Sequence, residues 1–290
     1  METDEPVRGR WWLNAAVRVM YVVAGAAVGW VATLMSPSRG SQPWLIWAVL
    51  AISLTAACGA VFGYGLARWR EIVGSRRLRR GWLVVYSAGP YVAGLGMLLV
   101  AVVLSRETEE VDSAVTGRSP AGLLLVAFAG LAALPVVAGL GAIFQRARML
   151  EDDAVGEGAE TLLALRRLLA GLLAALGSQV TLATLALGAA PQVSAYQPAA
   201  VLVFGAAWSV VIAIAYAPAA GALRAASVRL CRATLPLAGI EPSDLPARAD
   251  ARHQLEQALG VEHNPVTDIQ SGILILGPVL ASAFSLFIPD

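Results

Sequence analysis

The chain has 290 residues, 58% of them hydrophobic and only 14% charged, with a formal net charge of +1. A soluble domain is nearer half apolar and about a quarter charged, so the composition excludes an ordinary water-soluble domain and points to a membrane protein. All 21 basic residues are arginine, which also excludes chemistry that needs a Schiff-base or P-loop lysine.

A bilayer core about 30 Å thick is crossed by about 20 apolar residues in a helix. Seven windows meet or approach that length: 13–35, 44–67, 82–104, 121–144, 168–190, 199–223 and 269–288. None carries an acidic residue in its interior, and Arg18 lies close enough to the start of the first to snorkel outward. The first window is longer than a signal core and no small-x-small cleavage site follows it, so it reads as an uncleaved helix. The expected fold is all-α: a polytopic membrane bundle of seven transmembrane helices, or six plus a re-entrant C-terminal helix. Residues 1–223 form the six-helix bundle, 224–268 a loop with a short amphipathic helix, and 269–290 the C-terminal membrane helix.

Between the second and third windows lies an arginine-rich stretch with Arg68, Arg70, Arg76, Arg77, Arg79 and Arg80. Short cytoplasmic loops concentrate basic residues, so this loop is placed in the cytoplasm. Alternating the windows from there puts 18 arginines inside and 3 outside, the latter being Arg39, Arg106 and Arg118. The N-terminus is then cytoplasmic, in a bacterial-type plasma (inner) membrane. Tryptophan agrees: Trp11, Trp12, Trp69 and Trp82 fall at expected inner edges, and Trp30, Trp44 and Trp47 at or near outer edges. Only Trp208 is well inside a span.

Three connections are long. Residues 105–120, outside, carry Glu107, Glu109, Glu110 and Asp112 and read as a solvated acidic loop. Residues 145–167, inside, carry Glu151, Asp152, Asp153, Glu157 and Glu160, with Gly156 and Gly158 loosening any helix beneath them. Within 224–268, Ser243-Asp244-Leu245-Pro246 offers a helix start and Gly260 a stop. Arg252 and Glu256 form an i,i+4 pair there, while Leu255 and Leu259 share a face. Thr267-Asp268-Ile269-Gln270 reads as a capping box opening the last segment, which Gly277-Pro278 interrupts.

Motifs for soluble catalysis are absent: no G-x-S-x-G elbow, H-E-x-x-H helix or Walker loop occurs. The only histidines, His253 and His263, lie in the last inner loop, so no cofactor such as a histidine-ligated haem is expected in the bundle. Cys58 and Cys231 read as small inert thiols rather than a disulfide. The spans hold no mid-depth charge, which argues against proton or sodium coupling through acidic side chains. What remains is a thin polar interior: Asn14, Tyr21, Thr55, Tyr64, Tyr86, Ser87, Tyr91, Ser209, Tyr216 and the group Ser178, Gln179, Thr181 and Thr184. Gln179 is the only amide near the middle of a span, and the four are the candidate solute-facing residues. Gly25-x-x-x-Gly29 and Gly59-x-x-x-Gly63 fit close helix approach, a weak signal in a chain with 28 glycines. Pro90, Pro135, Pro218 and Pro278 interrupt spans and free backbone carbonyls.

These features lead first to a permease-like transporter or transporter subunit for a neutral or amphipathic solute, not an enzyme. A membrane scaffold or sensor docking a cytoplasmic protein through 224–268 and 68–80 is the second reading. A lipid-modifying intramembrane enzyme anchored on the 151–160 carboxylates is the third. Expected partners are the lipid bilayer, that cytoplasmic protein and a second copy of the chain; nucleic acid is not among them. The six arginines of the 68–80 loop are the candidates for contact with anionic lipid or with the partner.

Overall fold

The computed structural model describes residues 5–36, 42–73, 78–105, 120–150, 155–190, 198–237, 241, 243–261 and 272–280. Their regular structure is helical throughout: α1 (Glu5–Leu34), α2 (Gln42–Val73), α3 (Arg80–Ser105), α4 (Pro120–Met149), α5 (Val155–Gly188), α6 (Pro198–Thr234) and α7 (Leu245–Ala258). Residues 272–280 form α8.

Five segments are long and apolar enough to cross a membrane: Ala15–Leu34, Trp44–Val73, Leu124–Met149, Gly158–Gly188 and Val201–Thr234. The expected third window coincides with α3, 26 residues interrupted by Pro90, which is not among the five. The expected seventh is described only over 272–280, and the capping box at 267–270 lies outside the described residues. The described chain therefore supports a multi-pass membrane protein with five candidate spans, where the apolar windows alone suggest seven.

α4 is the centre of the bundle, packed against α1, α2, α3, α5 and α6. α2 and α5 flank it and α6 closes the ring, leaving α1 on the outer side of α2 and α3 against α4 and α6. In lipid, apolarity does not select a buried face, so close packing does. The buried set is Val136, Leu140 and Ile143 of α4 with Leu162, Leu165 and Leu172 of α5, Ala219 and Leu223 of α6, and Ile72 of α2. Val19 and Val23 of α1 and Val84, Val85, Val92 and Leu95 of α3 point away from the protein, as a lipid-facing surface requires.

The glycine pairs, weak as a sequence signal, are where α1 meets α2. A Cβ at Gly25 would collide with the Thr55 carbonyl oxygen and stand 3.3 Å from Ala56 Cα. One at Gly59 would collide with the Tyr21 carbonyl oxygen and stand 3.3 Å from Val22 Cα. Both obstacles are backbone and cannot rotate away, so only glycine permits this antiparallel approach.

α2, α5 and α6 have 32, 34 and 37 residues. At 1.5 Å per residue each spans roughly 50 Å, well beyond a bilayer core of about 30 Å. α5 begins at Val155, far ahead of the apolar window at 168, and α6 runs to Thr234, past the window end at 223. The expected loop at 145–167 is thus mostly helix, with only 150–154 between α4 and α5. The physical reason is continued packing: Leu162, Leu165, Ala226 and Cys231 extend the buried core beyond the apolar windows. That contact outweighs the helix-weakening effect of Gly156 and Gly158.

At the arginine-rich end α7 caps this extension. It starts as expected after Asp244 with Pro246 in its first turn. Its Arg252–Glu256 pair closes at 2.8 Å, and Leu259 is buried in the core cluster. The stop at Gly260 is a Schellman motif: Val261 N–H donates to the Glu256 carbonyl at 2.7 Å and Gly260 N–H to that of Gln257 at 2.9 Å. Gly260 holds φ of +58°, so Gly260→Ala is expected to cost about 1–2 kcal/mol locally. Hydrogen exchange should then speed up across 245–259 while exchange in α4 stays unchanged.

Candidate functional site in the bundle core

Gln179 projects from α5 into the junction with α2 and α4 and is only 3% exposed. Its Nε2 donates to the Ala129 carbonyl of α4 at 2.6 Å, and the Cys58 thiol of α2 stands beside the same amide. Leu54 and Cys58 of α2, Ala132 of α4 and Ala186 of α5 form the buried apolar cluster there. The other amide atom, Oε1, is buried without a hydrogen-bond partner among the described residues. An unpaired amide oxygen in an apolar interior costs about 1–3 kcal/mol, so it marks a place where a donor is wanted.

α4 is tied from its other side as well. Tyr91 of α3 donates its hydroxyl to the Gly130 carbonyl at 2.8 Å. Two consecutive carbonyls, Ala129 and Gly130, therefore take side-chain donors from α5 and α3 just ahead of the proline kink of α4. Proline lacks an N–H and its ring pushes on the carbonyl four residues back, here Leu131, so the two bonds hold α4 immediately before the carbonyl that Pro135 frees. α6 repeats the device: Tyr86 of α3 donates to the Ala215 carbonyl at 2.5 Å, one turn ahead of Pro218. α3 thus clips the proline turns of both neighbours. Tyr86→Phe and Tyr91→Phe are each expected to destabilise by about 0.6 kcal/mol, the typical worth of a membrane hydrogen bond. Thermal unfolding of the double variant in detergent checks this, and no shift would remove the clips from the account.

The four polar residues of α5 do not converge. Ser178 is exposed and bonds back to the Ala175 carbonyl at 3.0 Å. Thr184 is buried and bonds back to the Val180 carbonyl at 2.9 Å. Thr181 faces α8, where a Cβ at Gly277 would lie 3.0 Å from its Oγ1. Of the four, Gln179 alone is seen to hydrogen-bond another helix among the described residues, because it points away from the i,i+3 row of Ser178, Thr181 and Thr184.

Of the six loop arginines, Arg68 pairs with Glu71 at 2.7 Å and lies over the Tyr64 ring at 5.4 Å. Arg79 and Arg80 are exposed, the side chain of Arg70 is not described, and Arg76 and Arg77 lie outside the described residues. Gln145, which the sequence reading passes over, holds the loop end. Its Oε1 accepts from Arg79 N–H at 3.0 Å and its Nε2 donates to the Arg79 carbonyl at 3.2 Å. The available signal was a lone amide at the arginine-rich end of an apolar run. The carboxylates Glu151, Asp152 and Asp153 lie outside the described residues. A shallow groove of about 670 Å³ on the outer face of α1, lined by residues such as Val19, Met20 and Val23, is apolar and open to lipid.

Comparison with protein-family models, with curated proteins and with solved structures finds no match for this chain.

Proposed function

We propose that the chain is a multi-pass plasma-membrane protein, with its N-terminus and arginine-rich loop in the cytoplasm, acting as a permease-like carrier or carrier subunit. Its solute is neutral or amphipathic. The observation that carries this reading is the unpaired Gln179 Oε1 in the bundle core, next to the proline turn of α4. A solute hydroxyl or amide donor satisfies that oxygen, and the lack of mid-depth charge fits an uncharged solute.

Cysteine scanning along 177–190, in a chain lacking Cys58 and Cys231, tests it. Labelling of a mid-span helical stripe by a membrane-impermeant thiol reagent is the expected result. A span labelled only at its ends would sink the carrier reading. Gln179→Leu should close the stripe while moving thermal stability by only about 0.6 kcal/mol. Trypsin tests the topology: it should cut at 76–80 in inside-out vesicles only.

A second reading, a scaffold or sensor for a cytoplasmic protein, is favoured by α7. The helix rests on α6 through one face and leaves Arg248, Asp250 and Gln254 exposed. Arg248→Glu with Asp250→Arg should then abolish partner recovery without lowering the thermal midpoint.

A further inference from the structure

We propose that α3 is a lateral gate: its second half, from Tyr91 onward, swings away from α4 and α6 about a hinge at Gly89–Pro90, with the Tyr91 hydroxyl as the latch.

α3 is held differently from its neighbours. Among its described side chains Pro90 alone is buried, whereas α4 buries Val136, Val137, Leu140 and Ile143. Val84, Val85, Val92 and Leu95 face outward on both sides of the proline. A helix with so few buried contacts opens at low cost, because little packed surface is uncovered. The hinge lies between the two tyrosine bonds. Pro90 has no N–H to give, so the Tyr86 carbonyl loses its helical donor and the helix bends there. Gly89 adds no obstacle, since nothing stands within 4 Å of a Cβ built on it.

The two halves are fastened unequally. The first half is pinned in three ways. Gln145 brackets the Arg79 peptide just ahead of it, and the Trp82 and Tyr86 rings each lie 5.8 Å from that of Phe144. The Tyr86 hydroxyl then reaches the Ala215 carbonyl of α6. The second half makes one hydrogen bond to another helix among the described residues, from Tyr91 to the Gly130 carbonyl at 2.8 Å. Beyond it the contact with α6 does not interlock. A Cβ built at Gly94 would stand 3.5 Å from Val211 and 3.7 Å from Trp208, and one at Gly96 would meet nothing within 4 Å. A few hinge positions absorb such a motion while the packed body stays fixed. Swung out, the second half bares the Gly130 carbonyl, Trp208 and Val211 to the bilayer. The inference goes beyond the carrier reading and requires no role for Gln179.

Spin-label distances in the full chain, in lipid nanodiscs and with Cys58 and Cys231 replaced by alanine, test the gate. One label is carried by Val23→Cys, on the outer face of α1. The other is carried by Leu95→Cys, beyond the hinge, or by Val84→Cys, before it. The Leu95 pair should show two distances, the second one longer, and the Val84 pair only one. Tyr91→Phe should raise the ratio of the longer to the shorter Leu95 distance about threefold, as loss of one membrane hydrogen bond implies. Pro90→Ala restores the missing donor and should leave one distance for both pairs; it decides the matter should Tyr91→Phe fail to fold. A single Leu95 distance in both the parent chain and Tyr91→Phe overturns the proposal. So does a ratio that Tyr91→Phe leaves unchanged, or two distances for both pairs, because α3 then moves as a whole.

Discussion

Gly59→Leu will lower the thermal midpoint of the detergent-solubilised protein by roughly 10 °C, corresponding to about 3 kcal/mol. The added side chain meets the Tyr21 carbonyl and the backbone at Val22, so α1 must move away from α2 for the residue to fit. Overpacking against a rotatable side chain is relieved by a change of rotamer; overpacking against backbone is not. The two cysteines are convenient reporters, because Cys58 and Cys231 are both buried and react with a thiol dye only on unfolding. Gly96→Leu is the control, since nothing lies within 4 Å of a Cβ built there. Equal midpoints for the two variants would mean that α1 does not pack on α2 through these glycines.

Gln145→Leu will loosen the start of α3. The glutamine amide acts as a second peptide group, giving Arg79 both an acceptor and a donor across a separation of 66 residues. Leucine is close to it in volume and offers neither. Arg79 keeps access to water, so the loss belongs at the lower end of the range for an unpaired group, about 1–2 kcal/mol. That is roughly a tenfold rise in local opening. Limited trypsin digestion reads it directly, because a chain without lysine is cut only after arginine. Cleavage after Arg79 or Arg80 should accelerate about tenfold, and cleavage after Arg248 on exposed α7 should not change. Unaltered cleavage at both would show that Gln145 does not hold the loop.

Part of the candidate site is legible in the residues alone. Gln179 stands out as an amide near mid-span, since a polar group in lipid needs a partner whatever the fold. That its donor finds Ala129 while its oxygen finds no partner among the described residues depends on where α4 lies, which no pattern within α5 encodes. The misplaced boundary at 145–167 has a similar cause: hydropathy marks where a helix enters lipid, not where packing stops holding it helical.

The features legible in the residues are therefore local or solvent-driven. The apolar windows, the arginine asymmetry, the Schellman stop at Gly260 and the Arg252–Glu256 pair all follow from interactions within a few residues or with water and lipid. Packing of the helices against one another sets which glycines carry a helix contact and which carbonyls Tyr86 and Tyr91 clip. In a chain so uniformly apolar, burial in lipid and burial in protein leave the same composition. The inward face of each helix is then chosen by steric fit and a few long-range hydrogen bonds, and those exist only once the helices have met.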